Sequence, residues 1–334
     1  MNDLANEFYQ VEPSTGQPYN PQGLKVAVLI PCLNEEVAIA EVISDFRNYL
    51  PGADIYVYDN NSSDGTAAVS LKAGAIVRNE SLQGKGFVVC RMFADIEADV
   101  YVLVDGDGTY DAASAPVLLR TLQENHLDMV CGTRITEATA AYRFGHKFGN
   151  RFLTSLVSSF FGTPIRDMLS GYRVLTRRYV KSFPALSKGF EIETQLTVHA
   201  LEMRMRFSEV STPYQERKKG SVSKLNTVRD GLRIARTIFF LVKEEKPLLF
   251  FSIIAFLMAL TSLVLAYPVI TEFIQTGMVP RFPTAILSTG LMILAFLSMA
   301  CGLILDSTSN GRREVKRLRY LAIPPLPVFS EQSS

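Results

Sequence analysis

The chain has 334 residues, with 34 Lys and Arg against 33 Asp and Glu and a formal charge of +1. Nucleic-acid binders usually carry a strongly basic domain, so this balance argues against that class. Hydrophobic residues make up 48% and charged residues 20%, which suits a large buried core and excludes a disordered chain. Residues 1–23 are polar, hold Pro13, Pro18 and Pro21, and lack an apolar run; they read as a flexible arm and not as a signal peptide. From residue 24 short apolar runs alternate with helical patterns. Strands are expected at 24–30, 55–58, 75–77, 101–104 and 129–131, and helices at 36–49, 64–73, 85–97 and 113–124. This alternation predicts an α/β domain over 24–225, built on a mostly parallel sheet covered on both faces. Sites in such sheets lie beyond the carboxyl ends of the strands.

In 226–247, Val228, Leu232, Ala235, Phe239 and Val242 share one stripe while Arg229, Arg233 and Arg236 fall on another. This predicts an amphipathic helix lying in the headgroup plane, with an ordinary surface helix as the alternative. Segments 248–270 and 282–305 contain no charged residue. Each is long enough, at about 30 Å or more as a helix, to cross a bilayer. A pair of buried core helices is the competing reading. The 271–281 connection is short, and the tail 306–334 carries Arg312, Arg313, Lys316, Arg317 and Arg319. By the positive-inside rule, a two-helix hairpin would cross the inner membrane with both termini and the α/β domain cytoplasmic.

Four turns carry candidate chemistry. Asp105-Gly106-Asp107 follows a very apolar strand, and two carboxylates one residue apart can converge on a hard cation such as Mg²⁺ or Mn²⁺; an ordinary solvated turn is the alternative. In the run from Asp59 to Thr66, Ser62 or Ser63 is placed to cap the next helix and Asp59 to accept from a base edge. Gly84-Lys85-Gly86 opens a helix and offers a cation to an anion, or is a plain turn. The first strand ends in Pro31-Cys32-Leu33-Asn34-Glu35 with no GxGxxG, which argues against a dinucleotide dehydrogenase, and there is no Walker loop. The four cysteines include no CxxC and the three histidines no HExxH, so a disulfide scaffold and a thiolate or histidine metal site are not expected.

Together these runs resemble the GT-A glycosyltransferases of family 2. Arg166-Asp167-Met168-Leu169-Ser170-Gly171-Tyr172-Arg173, Gly189-Phe190-Glu191-Ile192-Glu193 and the segment from Arg217 to Lys224 narrow the resemblance to polyprenyl-phosphate hexosyltransferases, over about residues 24–246. The resemblance implies an inverting hexose transfer, glucose or mannose, from a UDP- or GDP-sugar to a polyprenyl phosphate. It implies that Pro31, Asn34 and Glu35 line the nucleotide pocket and that Asp59 meets the base or ribose. Asp105 and Asp107 would hold the metal. Lys85, Arg134, Arg173, Arg217 and Lys224 would contact donor or acceptor groups. Asp167 would align the acceptor or take its proton, with Asp107 as its catalytic companion. Glu191 and Glu193 are weaker candidates, sharing a face only on a strand. Many relatives have a second Asp where this chain has Asn60, which leaves the choice of base open. A processive polysaccharide synthase would need a QxxRW motif, and this chain has no Trp. A silent membrane scaffold is the other rival, disfavoured by the retained acids. A homo-oligomer is left open.

Overall fold

The computed structural model describes residues 17–21, 23–135, 162, 165–184, 192–215, 217, 243 and 246–327. Lys224, Glu191 and all but three positions of the expected amphipathic helix at 226–247 lie outside them. The chain divides into two units, 1–232 with 316–334, and 233–315.

The first unit is built on seven strands: β1 (Val26–Cys32), β2 (Asp54–Asp59), β3 (Ile76–Asn79), β4 (Val100–Leu103), β5 (Met129–Ile135), β6 (Arg173–Thr176) and β7 (Phe207–Pro213), in the order β3-β2-β1-β4-β6-β5-β7. β1 pairs in parallel with β2 and β4, β2 with β3, and β5 with β7. Only β6 is reversed, antiparallel to both β4 and β5. β4 and β5 therefore point the same way, and the sheet keeps one carboxyl end. The all-apolar centre of β1, Val26 to Ile30, is buried throughout, as a strand covered on both faces requires. The helices are α1 (Ile39–Tyr49), α2 (Thr66–Lys72), α3 (Lys85–Asp95), α4 (Ala115–Glu124), α5 (Arg177–Ser182) and α6 (Ile192–Glu202). α1 buries Ile39, Val42, Ile43 and Phe46, one stripe at helical spacing.

The described end of the arm, 17–21, has partners. Tyr19 N–H donates to Tyr49 O (2.9 Å), its hydroxyl to Gln123 Oε1 (2.7 Å), and Arg120 lies over its ring at 4.7 Å. An aromatic ring with a polar tip found both an apolar face and a partner there.

α7 (Pro247–Thr276) and α8 (Phe282–Leu321) are longer than the apolar segments they contain, at 30 and 40 residues. Gly277, at φ 68°, ends α7 by donating to Phe273 O, a left-handed cap that glycine adopts cheaply. Beyond Pro247 at the start of α7, the buried residues of this unit recur every seven positions: Ala255, Ser262 and Val269 on α7, and Ser288, Ala295, Gly302 and Ser309 on α8. Small side chains let the backbones approach. A Cβ at Gly302 would come within 2.9 Å of Phe251 Cβ, and Ser262 Oγ donates to Ser288 O at 2.7 Å. The large apolar residues face away from that seam; Tyr267, Ile274, Phe296 and Ile304 are 66–75% exposed. Core helices of a soluble protein would bury them. Both helices are long and apolar enough to cross a membrane.

The last turns of α8 belong to the first unit. Lys316 Nζ meets Glu202 Oε2 at 2.7 Å, Arg317 donates to Met203 O at 3.1 Å, and Tyr320 donates to Asp128 Oδ2 at 2.9 Å.

One buried group sets an acid limit. His199 on α6 is 2% exposed, and its Nε2 lies 3.1 Å from Ser182 Oγ. Burial first, then nearby Lys316, push its pKa down to about 3. The unfolded chain takes up that proton near pH 6.5 while the native one does not, so stability falls with pH between about 6.5 and about 3. From pH 7 to 5 the loss at this residue is about 2 kcal/mol. Denaturant melts of wild type and His199→Gln at both pH values should show the wild type losing about that much more.

Candidate active site at the carboxyl end of the sheet

The β1–α1 and β2–α2 turns are laced together. Asn34, at φ 52°, donates its backbone N–H to Ser62 Oγ (2.8 Å), and its Oδ1 accepts from Ser63 N–H (2.7 Å). Glu35 N–H donates to Thr66 Oγ1 (2.9 Å), and Glu36 Oε2 accepts from Gly65 N–H (2.9 Å). Pro31, one residue before the end of β1, pairs with Tyr58. Ser62 and Ser63 are thus not the helix caps expected; they are spent on Asn34. Asp64 takes the capping role two residues before Thr66, accepting from its N–H and hydroxyl. Burial opposes the Asp64 charge, but those Thr66 bonds outweigh it and hold the carboxyl below its ordinary pKa.

Asp59 ends β2. Its Oδ2 accepts from Ser62 N–H at 3.1 Å, while its Oδ1 is buried with no partner among the described residues. A carboxylate oxygen left in that state wants a donor. Asn60 beside it is saturated: its amide donates to Glu80 O and Leu82 O, and its Oδ1 accepts from Gly84 N–H at 2.7 Å. It braces the loop before α3, a task an aspartate there could not share as a donor.

The Asp-Gly-Asp turn follows β4. Asp105 Oδ1 and Glu193 Oε1 both lie 2.5 Å from Lys85 Nζ. Burial works against the Lys85 charge, but Asp105 and then Glu193 outweigh it and raise its pKa; burial raises that of Glu193 despite Lys85. Asp107 Oδ1 accepts from Thr109 Oγ1 (2.6 Å) and N–H (3.1 Å), and its Oδ2 meets Arg217 Nη2 at 2.7 Å. Glycine permits two close approaches. A Cβ at Gly106 would lie 2.6 Å from Cys32 Sγ, and one at Gly171 would lie 2.7 Å from Asp105 Oδ2. The loop before β6 therefore rests on the Asp105 carboxylate.

That loop carries Asp167, which Arg134 grips through Nε (2.7 Å) and Nη2 (2.8 Å). Glu209 on β7 accepts the N–H groups of Arg166 and Asp167. Tyr110 hydroxyl accepts from Gly171 N–H at 2.8 Å. Glu209 and Tyr110 were not expected here, and a single Glu in a strand or Tyr in a loop gives no signal of such a role. Glu193 stands on the first turn of α6, not on the strand that would have let it share a face with Glu191.

Arg173 is corrected. It is fully buried, and its guanidinium donates to Ser170 O, Met168 O, Glu193 O and Thr197 Oγ1 at 2.9–3.1 Å. It ties the Asp167 loop to α6 and is not presented to a phosphate. Arg173→Met should cost about 3 kcal/mol by leaving several buried acceptors unpaired. At a temperature where the variant is folded, the donor KM should stay within about twofold, as steady-state kinetics beside a melt would show.

The donor set fits a hard divalent ion. Asp105 and Asp107 offer carboxylate oxygens from one turn, each now balanced by a cation, Lys85 or Arg217. No cluster of three or more His, Cys, Asp or Glu able to hold a metal occurs among the described residues. An ion here would complete its shell from a bound diphosphate and water.

Residues 27–183 match the profile of Glycosyl transferase family 2. Glycosyltransferase AglJ of Haloferax volcanii is 33% identical over 301 residues, covering 89% of this chain and 98% of AglJ. The chain belongs to glycosyl transferase family 2. A second relative in this glycosyltransferase family is the dolichyl-phosphate hexose transferase of Haloferax volcanii, 27% identical over 221 residues and covering 66% of this chain and 95% of that one. Among solved structures, glucosyl-3-phosphoglycerate synthase of Mycobacterium tuberculosis with Mn²⁺ and UDP-glucose superimposes with a TM-score of 0.56 at 19% identity, over 72% of this chain and 86% of that one. The GT-A fold is shared.

Proposed function

We propose that this glycosyltransferase moves a hexose, glucose or mannose, from a UDP- or GDP-sugar to the phosphate of a polyprenyl lipid at the cytoplasmic face of the inner membrane, with inversion at the anomeric carbon. The observation that carries the lipid acceptor is the joining, in one chain, of a family 2 sheet to two long helices whose large apolar residues are exposed. A polyprenyl tail stays in the bilayer, so an enzyme that uses it must be held there. The dolichyl-phosphate acceptor named in one relative points the same way.

In this reading Asp59 Oδ1 accepts the ring N–H of a uracil or guanine base, with the Asn34–Glu35 turn around it. Asp105 and Asp107 would hold Mg²⁺ or Mn²⁺, which offsets charge on the departing diphosphate when bound. Arg217 and Lys85 would turn from the carboxylates toward phosphate oxygens when the donor binds. Lys224 and Arg134 complete the cationic set. A phosphate monoester has its second pKa near 6 and is largely dianionic at pH 7, so its oxygen attacks without a strong base. The new bond joins that oxygen to the anomeric carbon while the bond to the diphosphate breaks and its electron pair leaves on the β-phosphate. Asp167 serves by fixing Arg134, since both its oxygens already accept from that guanidinium. Positioning and charge compensation contribute most of the acceleration.

The test is a panel of labelled UDP- and GDP-sugars offered to the purified chain with polyprenyl phosphate in membranes. One donor should turn label organic-extractable, in a product that mild acid releases. No extractable label from any donor would overturn the assignment.

A further inference from the structure

A second cationic cavity lies at the other end of the sheet. It holds about 460 Å³ and is lined by His126, Asp128, Arg178, Arg204, Arg206 and Tyr320, with Pro325 and Leu326 forming an apolar wall. Asp128 and Arg206 immediately precede the amino ends of β5 and β7, whereas Arg134 and the Asp167 loop stand at the carboxyl end of β5. Six residues of strand separate Asp128 from Arg134, about 20 Å. The two sites share no residue.

The charge is unbalanced by construction. Three arginines face one aspartate, and that aspartate is spent. Asp128 is 1% exposed, accepts from Arg178 Nε and from Tyr320 hydroxyl, and cannot turn toward the others. Arg178 lies over the Tyr320 ring, 4.8 Å from its centroid, and its Nε donates to Asp128. A guanidinium is a planar fork of donors that suits a phosphate. Arg204 and Arg206 make no ion pair among the described residues. His126 and Arg204 both sit at positive φ, 50° and 51°, just beyond the ends of α4 and α6. Glycine or asparagine is the inexpensive choice at such positions. A histidine and an arginine stand there instead, both opening on one cavity, which favours a role for their side chains.

We propose that this cavity binds a phosphate group, as inorganic phosphate or as the headgroup of an anionic lipid, and that its occupation fastens the segment after α8 to the sheet. Tyr320, Pro325 and Leu326 supply one wall while the arginines come from α5 and the α6–β7 turn, so a bound dianion bridges the C-terminal segment to the catalytic unit's own frame. The ordering it brings falls on residues 320–327.

The experiment uses the full chain in nanodiscs and reads hydrogen exchange at the amides of Ala322, Ile323 and Leu326 together with phosphate affinity. One arm adds inorganic phosphate to phosphatidylcholine discs against chloride at equal ionic strength. The other replaces phosphatidylcholine by phosphatidylglycerol without phosphate. Wild type should show slowed exchange in at least one arm, and the R204E/R206E variant should weaken that response at least tenfold while its affinity for donor nucleotide is unchanged. R204Q/R206Q, which adds no negative charge, should fall between them. Loss confined to the phosphate arm assigns a free anion, and loss confined to the lipid arm assigns a headgroup. Equal responses of wild type and both variants in both arms would overturn the proposal.

Discussion

Asp107→Asn is expected to lower sugar transfer by about 10³-fold while the chain still folds, the scale of losing one preorganised electrostatic contact at a reacting centre. The substitution keeps the shape, and Asn Oδ1 still accepts from Thr109. The oxygen that meets Arg217 at 2.7 Å becomes an NH₂ facing a guanidinium, donor against donor. Two consequences separate the readings. Divalent-ion dependence of nucleotide binding should fade in the variant, and Arg217 should lose its ion pair with Asp107. Binding of UDP and GDP, titrated with Mn²⁺ and with chelator, checks the first. Full transfer activity by the variant in chelator would refute the metal role of this turn.

The parts of the fold written in local patterns were legible. Continuous apolar runs ending in Gly-, Asp- and Asn-rich turns announced β1, β2 and β4 with the loops that follow them, and the structure brings Asn34, Glu35, Asp59, Lys85, Asp105 and Asp107 to one end of the sheet. Strand ends moved by a few residues because pairing outlasts the apolar run; Pro31 and Cys32 still pair with Tyr58 and Asp59. Long-range partnerships were not legible. Arg173 stands in a Gly-Tyr-Arg run that looks like surface chemistry, yet its acceptors come from the preceding loop and from α6, twenty-four residues on at Thr197. The strand it opens is reversed between β4 and β5, and four residues carry no mark of direction. The charged end of α8 reads as a tail by composition. It stays helical because Glu202, Met203 and Asp128 wait over a hundred residues upstream to receive Lys316, Arg317 and Tyr320.

Lys85→Met should be the most destabilising single change at the site, by about 3–5 kcal/mol, the usual penalty for removing one partner of a buried ion pair. The Lys85 ammonium, at the start of α3, donates to the Glu193 carboxylate at 2.5 Å. Glu193 is 6% exposed, at the first turn of α6, and burial already raises its pKa. Without the ammonium the carboxylate stays buried, with Asp105 nearby to repel it. Glu193 then relieves the strain by binding a proton, so its native pKa stands further above its unfolded value. A group raised in this way gives its full stability below the unfolded pKa and loses it as pH rises through the native one. The Lys85→Met penalty should therefore be small near pH 4 and largest near pH 8. Adding Glu193→Gln removes the charge itself and should recover most of the loss at pH 8, with little change at pH 4. Urea melts of the wild type, the single variant and the double variant at both pH values measure the difference. A double variant no more stable than Lys85→Met at pH 8 would show that the cost comes from lost packing between α3 and α6 and not from a stranded carboxylate.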